Sequence, residues 1–261
     1  MQTALWVSKT GMTAQDAKMT AISNNLANIN TVGFKRDRMI FEDLFYSIHA
    51  QAGTSVDGDN NLPTGVQLGN GVRVVGTQKV HTQGGVQDTH QELDLAIVGA
   101  GFFQVENSDG EIMFSRNGQF NINEDGQIVN TAGLPLVPEI TIPEGTTSVV
   151  IDVEGGVSVA TAGETQMNNV GNITLVTFMN PAGLSANGGN LYRETEASGT
   201  PNEVTAGLDG AGIIKQGALE GSNVQVVTEM VDMIATQRAY EMSAKMVSAA
   251  DEMLRYIAQA T

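Results

Sequence analysis

Ser222-Asn223-Val224-Gln225-Val226-Val227-Thr228-Glu229-Met230-Val231-Asp232-Met233 opens a run to Thr261 that contains neither glycine nor proline. Val226, Met233, Tyr240, Val247 and Leu254 recur in it every seven residues. Met230, Ala244 and Ala258 fill most of the alternate positions, while Gln237 and Asp251 interrupt them. This is the pattern of a helix with one apolar seam, and a shoulder of Ala239, Met246 and Met253 widens the seam. Ser222 followed by Gln225 reads as a capping box, in which the serine caps and the glutamine reaches back. At about 1.5 Å per residue the helix is roughly 55 Å long.

The opposite end of the chain has a matching pattern. Leu5, Met12, Met19 and Leu26 recur at seven, and Ile22 and Ile29 follow three residues after the last two. The earlier equivalents, Ser8 and Gln15, are polar, so the seam is weak at its start. The helical pattern stops at Asn28-Ile29-Asn30-Thr31-Val32-Gly33, where asparagine and glycine accept left-handed backbone. Both seams are rich in methionine and alanine, which pack adaptably and close together. The two helices are expected to pair with each other or with other chains.

Between these ends the composition changes. Of 30 glycines only Gly11 precedes Asn30 and none follows Gly221, and all six prolines lie from Pro63 to Pro201. The net charge of −16 divides in the same way: residues 1–36 carry +3, residues 221–261 carry −2, and −17 belongs to the middle. Asp109-Gly110, Asn117-Gly118 and Asp125-Gly126 fall eight residues apart, with Gly133 seven later. These pairs favour turns with positive φ, so residues 105–134 read as a meander of short antiparallel strands. Further strands are expected at 93–98, 102–105, 149–153, 157–160, 173–178 and 191–194, and 50–71 reads as an extended, adaptable loop. The fold class is therefore α+β: terminal helices pairing as a coiled coil around an all-β, antiparallel middle. The expected division is 1–32 with 222–261 for the helical domain, 33–72 with 203–221 for a connector, and 73–202 for a β-rich outer domain.

The strong acidity argues against nucleic acid as a partner. The absence of cysteine excludes disulfides, thiolate zinc sites and a cysteine nucleophile. No apolar stretch is long enough to span a bilayer, and the first residues lack the pattern of a cleaved signal peptide. His49, His81 and His90 are scattered, without the spacing of a helical ligand pair. Asp57, Asp59 and Asn61 open like a calcium loop, but Leu62 stands where glycine is needed and Leu68 where a bidentate glutamate belongs. The segment Gly207-Leu208-Asp209-Gly210-Ala211-Gly212 resembles a phosphate loop only superficially, and there is no Gly-x-Ser-x-Gly elbow. No catalytic, cofactor or metal residues are expected. A secreted β-rich adhesin or calcium module is the alternative of another class.

The termini resemble a known family. Asn24-Asn25-Leu26-Ala27-Asn28-Ile29-Asn30-Thr31-Val32-Gly33-Phe34-Lys35 is similar to the N-terminal signature of bacterial flagellar rod and hook proteins. Glu220-Gly221-Ser222-Asn223-Val224, with Glu229-Met230-Val231 and Gln237-Arg238-Ala239-Tyr240-Glu241, is similar to the C-terminal one. Phe41-Glu42-Asp43-Leu44, Leu62-Pro63-Thr64-Gly65, Gly71-Val72-Arg73-Val74, His81-Thr82-Gln83-Gly84 and Gly101-Phe102-Phe103-Gln104-Val105 resemble the distal-rod branch, with a proximal rod or hook paralogue as the alternative. Asn107-Ser108 departs from the Leu-Pro more usual before Asp109-Gly110.

The resemblance implies a subunit of a hollow helical shaft that crosses the periplasm, transmits torque to the hook, and is exported without a cleaved signal peptide. It implies as partners further copies of the chain, proximal rod proteins, the hook protein, the surrounding P and L bushing rings, the rod cap and the flagellar type III export apparatus. Subunit contacts are then expected at Leu5, Met12, Met19, Ile22, Leu26 and Ile29, and at Val226, Met230, Met233, Tyr240, Ala244, Val247 and Leu254. The family signature is Asn24, Asn25, Leu26, Asn28, Thr31, Gly33, Phe34 and Lys35. Phe41 and Phe45 match the Phe-x-x-x-apolar element of early export substrates.

Overall fold

A computed structural model describes residues 2–51, 55–57, 60–61, 64–162 and 166–260. Two long helices, α1 (Gln2–Ala27) and α2 (Val226–Ala260), flank a middle built of short antiparallel strands. The chain groups into two compact units: 1–26, 37–78 and 225–261 form the first, and 27–36 with 79–224 the second. No helix among the described residues is long and apolar enough to cross a membrane.

The second unit is the β-rich body. Its largest sheet has five strands in the order 136–137, 103–106, 112–115, 191–193, 185–188. Val105 lies between Met113 on one side and Leu136 on the other, and Phe114 faces Tyr192. A three-stranded sheet follows the chain through 146–151, 156–161 and 168–172. Four two-stranded ribbons complete the unit, two of them formed by 213–216 with 95–98 and by 218–220 with 86–88. Leu95, Ile97, Phe103, Val105, Met113 and Leu136 are among the residues of one continuous core, and a smaller aromatic cluster gathers Phe102, Phe114, Phe178 and Tyr192. Alternation along short strands supplies this core, since successive side chains point to opposite faces.

The turn signals are realised unequally. Gly110 and Gly126 take φ of 75° and 79° and join 103–106 to 112–115 and 120–122 to 128–130. Asn117-Gly118 is not a hairpin turn: 112–115 pairs with 103–106 and 191–193, and 120–122 pairs with 128–130. Gly118 is required for a different reason. The Leu95 N–H donates to its carbonyl at 2.9 Å, and a Cβ at 118 would overlap the Leu95 carbonyl oxygen.

The first unit contains both helices and three strand pairs. Strand Asp37–Asp43 pairs with Val72–Lys79, and Tyr46–Ala50 runs antiparallel to Val66–Gly69 with Ser47 opposite Leu68. Ser55–Asp57 pairs with Asn60–Asn61 further out. The described residues of 50–71 are therefore mostly in paired strands rather than loop. Alternating Tyr46, Ile48 and Val66, Leu68 are the strand signal, but all four side chains stay exposed, so they have no core partner by which the pattern is recognised. Of the segment weighed as a calcium loop, Asp59 and Leu62 lie outside the described residues.

The expected capping box does not form. The Ser222 hydroxyl accepts from the Val224 N–H at 3.3 Å, and the helix begins at Val226. Gln225 is the capping residue; its carbonyl accepts from the Glu229 N–H at 3.0 Å and its side-chain oxygen from the Thr228 hydroxyl at 3.3 Å.

Two glycine substitutions separate close approach from turn geometry. Gly118→Ala forces two backbones apart and is expected to cost about 3 kcal/mol or more. Gly133→Ala, at φ 80° with open space around it, is expected to cost only about 1–2 kcal/mol. Urea unfolding of the two variants measures the difference; equal losses would show that Gly118 is not held by the Leu95 contact.

Candidate functional site: the joined chain ends

The two signature segments meet inside the second unit. The Gly33 N–H donates to the Glu220 carbonyl at 2.7 Å. The Arg36 N–H donates to Asn223 Oδ1 at 2.8 Å, and Asn223 Nδ2 donates to the Val80 carbonyl at 2.7 Å. Asn190, with φ of 60°, donates through Nδ2 to the Val32 carbonyl at 2.8 Å. Gly33 has φ of 70°, and any side chain there would overlap the Arg116–Asn117 peptide.

At the centre of this junction Lys35 Nζ donates to Glu220 Oε1 at 2.6 Å, and both side chains have 0% exposure. Lys35 also donates to the Thr82 carbonyl at 2.8 Å, while Glu220 Oε1 accepts from the Gly84 N–H at 2.8 Å. The Arg116 guanidinium lies 3.5 Å from Glu220 Oε2 and stacks near the Phe102 ring. Two cations thus share one carboxylate out of water. Burial pushes the Lys35 ammonium below its ordinary range, opposed by the neighbouring Glu220 charge, and Arg116 is lowered for the same leading reason.

His81 sits beside this group with Phe102 and Tyr192 edge-on, each ring centre 5.5 Å away. The Pro181 carbonyl slightly favours the charged ring, but its geometry falls short of a hydrogen bond, and both ring nitrogens are closed off without a partner. Burial first, then the positive charges of Lys35, Arg116 and Lys79, lower the His81 pKa to about 4. A neutral histidine packed as an aromatic is the consequence.

The helices carry a second junction, in the first unit. Asn25 Nδ2 donates to the Asp37 carbonyl at 3.0 Å, the Asp37 N–H donates back to Asn25 Oδ1 at 2.8 Å, and Asn25 Nδ2 also lies 3.3 Å from Glu229 Oε2. A Cβ on Gly11 would stand 3.6 Å from the Ser243 hydroxyl. As the α1 position falls from 25 to 11 the α2 position rises from 229 to 243, so the helices run antiparallel where they touch. The buried side chains of α2 are Glu229, Thr236 and Ala250, with Ser243 half-buried on the same seven-residue row. On α1 they are Ser8, Ala14, Ile22 and Asn25. The face turned inward is mostly small or polar.

That seam is offset from the row singled out by hydrophobicity. On α2, Val226, Met230, Tyr240 and Leu254 are exposed, and Met233, Ala244 and Val247 are half-buried. On the N-terminal side Ile22 is buried, while Leu5, Met12, Met19, Leu26 and Ile29 are half-buried. Among the signature residues Asn25, Gly33, Phe34 and Lys35 are buried, Asn28 and Thr31 are half-buried, and Asn24 is exposed. Phe41 is half-buried in its strand and Phe45 is 91% exposed. Glu220, Asn223 and Glu229 were visible only as letters of the C-terminal signature. Arg116 had no role in the sequence reading, and His81 entered it only as one of three scattered histidines and as a letter of a resemblance motif. The available signal for Arg116 was its rarity, as one of six basic residues in the acidic middle.

Glu220→Gln leaves two buried cations without a counter-charge and is expected to cost about 3–5 kcal/mol. Glu111→Gln, at the exposed pair with Arg193, is expected to change stability by less than about 1 kcal/mol. Similar losses in both would contradict the junction's importance. His81 contributes a separate pH dependence. Its folded pKa is depressed, so the unfolded chain binds the proton more tightly. Stability is full above the unfolded value near 6.5 and falls by up to about 3 kcal/mol as pH drops toward 4. His81→Phe is expected to flatten the stability profile between pH 6.5 and 4, and an unchanged slope would rule His81 out.

Comparison with known proteins addresses the identity of such a chain. The family described as "Flagella basal body rod protein" matches residues 5–35, "Flagellar hook protein FlgE/F/G D1 domain" matches 96–159, and "Flagellar basal body rod FlgEFG protein C-terminal" matches 215–260. The flagellar basal-body rod protein FlgG of Buchnera aphidicola subsp. Acyrthosiphon pisum is 48% identical over 256 residues, covering 98% of both chains. That of Borreliella burgdorferi is 41% identical over 256 residues, covering 97% of each. The flagellar basal-body rod protein FlgF of Caulobacter vibrioides is 34% identical, over 98% of this chain and 96% of its own. The outer family matches fall on the two segments that the Lys35–Glu220 pair joins, and the chain belongs to the flagellar basal-body rod protein FlgG family.

Proposed function

We propose that this rod subunit polymerises into the distal rod, a hollow helical shaft that crosses the periplasm, carries torque from the motor to the hook and lets later subunits pass through its channel. The observation that carries this reading is the outer surface of α2. Val226, Val227, Met230, Val231, Ile234, Tyr240, Met242, Met246, Met253, Leu254, Tyr256 and Ile257 are all exposed on one helix. An apolar surface of that extent is characteristic of an interaction site. A role in assembly rather than catalysis accounts for it.

In this reading α1 and α2 pair as a coiled coil and form the inner layer, and the β-rich residues 73–202 form the outer one. Residues 33–72 with 203–221 connect them. Neighbouring copies bury the apolar face of α2, at about 25 cal/mol per Å². This offsets the roughly 1–2 kcal/mol per residue of backbone entropy that ordering the helices costs. Proximal rod proteins and the hook protein continue the shaft at its ends, the rod cap assists its growth, and the P and L rings surround it. The chain reaches this place through the flagellar type III export apparatus, with Phe41 and Phe45 as its recognition element; the exposure of Phe45 favours that role over packing.

Amide hydrogen exchange tests the assembly role. Residues 2–26 and 226–260 are expected to exchange quickly in a verified monomer, because their shared seam is small and polar, and slowly in isolated rods. Equally slow exchange in both states would remove the need for a neighbouring subunit.

A further inference from the structure

A second row on α2 remains after the junction with α1 is accounted for. Ala235, Ala239, Met242, Met246, Ala249, Met253 and Tyr256 alternate at spacings of four and three, the period of a coiled-coil seam. It lies to one side of the Glu229–Thr236–Ser243–Ala250 row. Six of its seven residues are exposed, and the seventh, Ala239, is half-buried. Its sulfur-bearing members are open to solvent, with Met242 65%, Met246 62% and Met253 54% exposed; Met230, on another side of the helix, is 51% exposed.

We propose that Met242, Met246 and Met253 form an oxidation-sensitive modification site whose state decides whether α2 can join a neighbouring subunit; this rests on the assembly reading above. Each thioether sulfur attacks one oxygen of a hydroperoxide such as hydrogen peroxide. The O–O bond breaks, the proton of the transferred hydroxyl passes to the departing oxygen, and an S=O bond forms. Sulfur is oxidised by two electrons and hydrogen peroxide is reduced to water, an alkyl hydroperoxide to its alcohol. The product replaces a flexible apolar tip with a strong hydrogen-bond acceptor. Along the row Met242 and Met246 are flanked only by alanine and each other, which offer no side-chain donor, and Tyr256 is the one donor in it, beside Met253. A sulfoxide buried at 242 or 246 therefore finds no partner within the row and opposes closure. The chain has no cysteine to compete for the oxidant.

The molecule contains its own controls. Met179 is 97% exposed and lies in the second unit, and Met113 is 2% exposed in the core. Peptide mass spectrometry of the full-length chain titrated with hydrogen peroxide is expected to show Met242, Met246 and Met253 oxidising within a few-fold of Met179. They should react at least about tenfold faster than Met113. Rates as slow as that of Met113 overturn the proposal whether or not the chain assembles.

Sedimentation then reads the consequence. Peroxide is expected to raise the concentration needed for self-association at least about tenfold, and methionine sulfoxide reductase should restore it. The M242L/M246L/M253L variant should keep associating after the same treatment although its Met179 is oxidised. Loss of association in this variant, or none in the wild type, overturns the proposal. Met246→Asp separates the two readings: if that variant associates as well as the wild type without peroxide, the α2 contact itself is wrong.

Discussion

A single carboxylate shared by two buried cations holds the distant parts of this sequence together. Lys35 and Glu220 are 185 positions apart and meet at 2.6 Å with no access to water. Removing one partner of such a pair costs more than the pair contributes, because the remaining charge has nowhere to go. The contact is therefore better understood as a specification of where the chain must meet itself than as a source of stability. Around it the backbone bonds of Gly33, Arg36, Glu220 and Asn223 fix the register, and His81 fills the remaining space as a neutral ring.

A corresponding logic applies to the helices. Asn25 spends its amide on the Asp37 backbone and on Glu229, and small residues such as Gly11 and Ser243 let α1 and α2 approach. The seam closed within the chain is polar or small, and the larger apolar residues of α2 point elsewhere. That division of faces suits a subunit of an assembling rod. Polar seams specify an alignment at modest stability, whereas apolar rows supply the association energy once another copy is present.

Much of this was legible in the sequence because it depends on local pattern. The absence of proline and the near-absence of glycine, Gly11 alone excepted, delimited both helices, and Asp109-Gly110 and Asp125-Gly126 marked hairpins correctly. What was not legible depends on tertiary approach. Gly118 looks like a turn residue, yet it is held by the Leu95 carbonyl, which no local window contains. Hydrophobicity points to the heptad of α2 beginning at Val226 as the contact with other subunits, whereas the row buried within the chain runs through Glu229, Thr236, Ser243 and Ala250, which no apolar pattern marks. Hydrophobicity identifies where a helix gains most from burial, and within this chain that row stays exposed or half-buried. The same reasoning explains the hairpin of Tyr46–Ala50 with Val66–Gly69, whose exposed side chains hid its strand character.

The central claim is that α2 closes its polar row on α1 and reserves its alanine–methionine row for a neighbour. A side-chain-resolved reconstruction of the assembled rod tests it most directly. The account predicts Asn25 still against Glu229 within one subunit, with Met242, Met246 and Met253 buried against the helices of an adjacent one. A rod in which those three methionines face open solvent, or in which Glu229 has left Asn25 for another subunit, would contradict it.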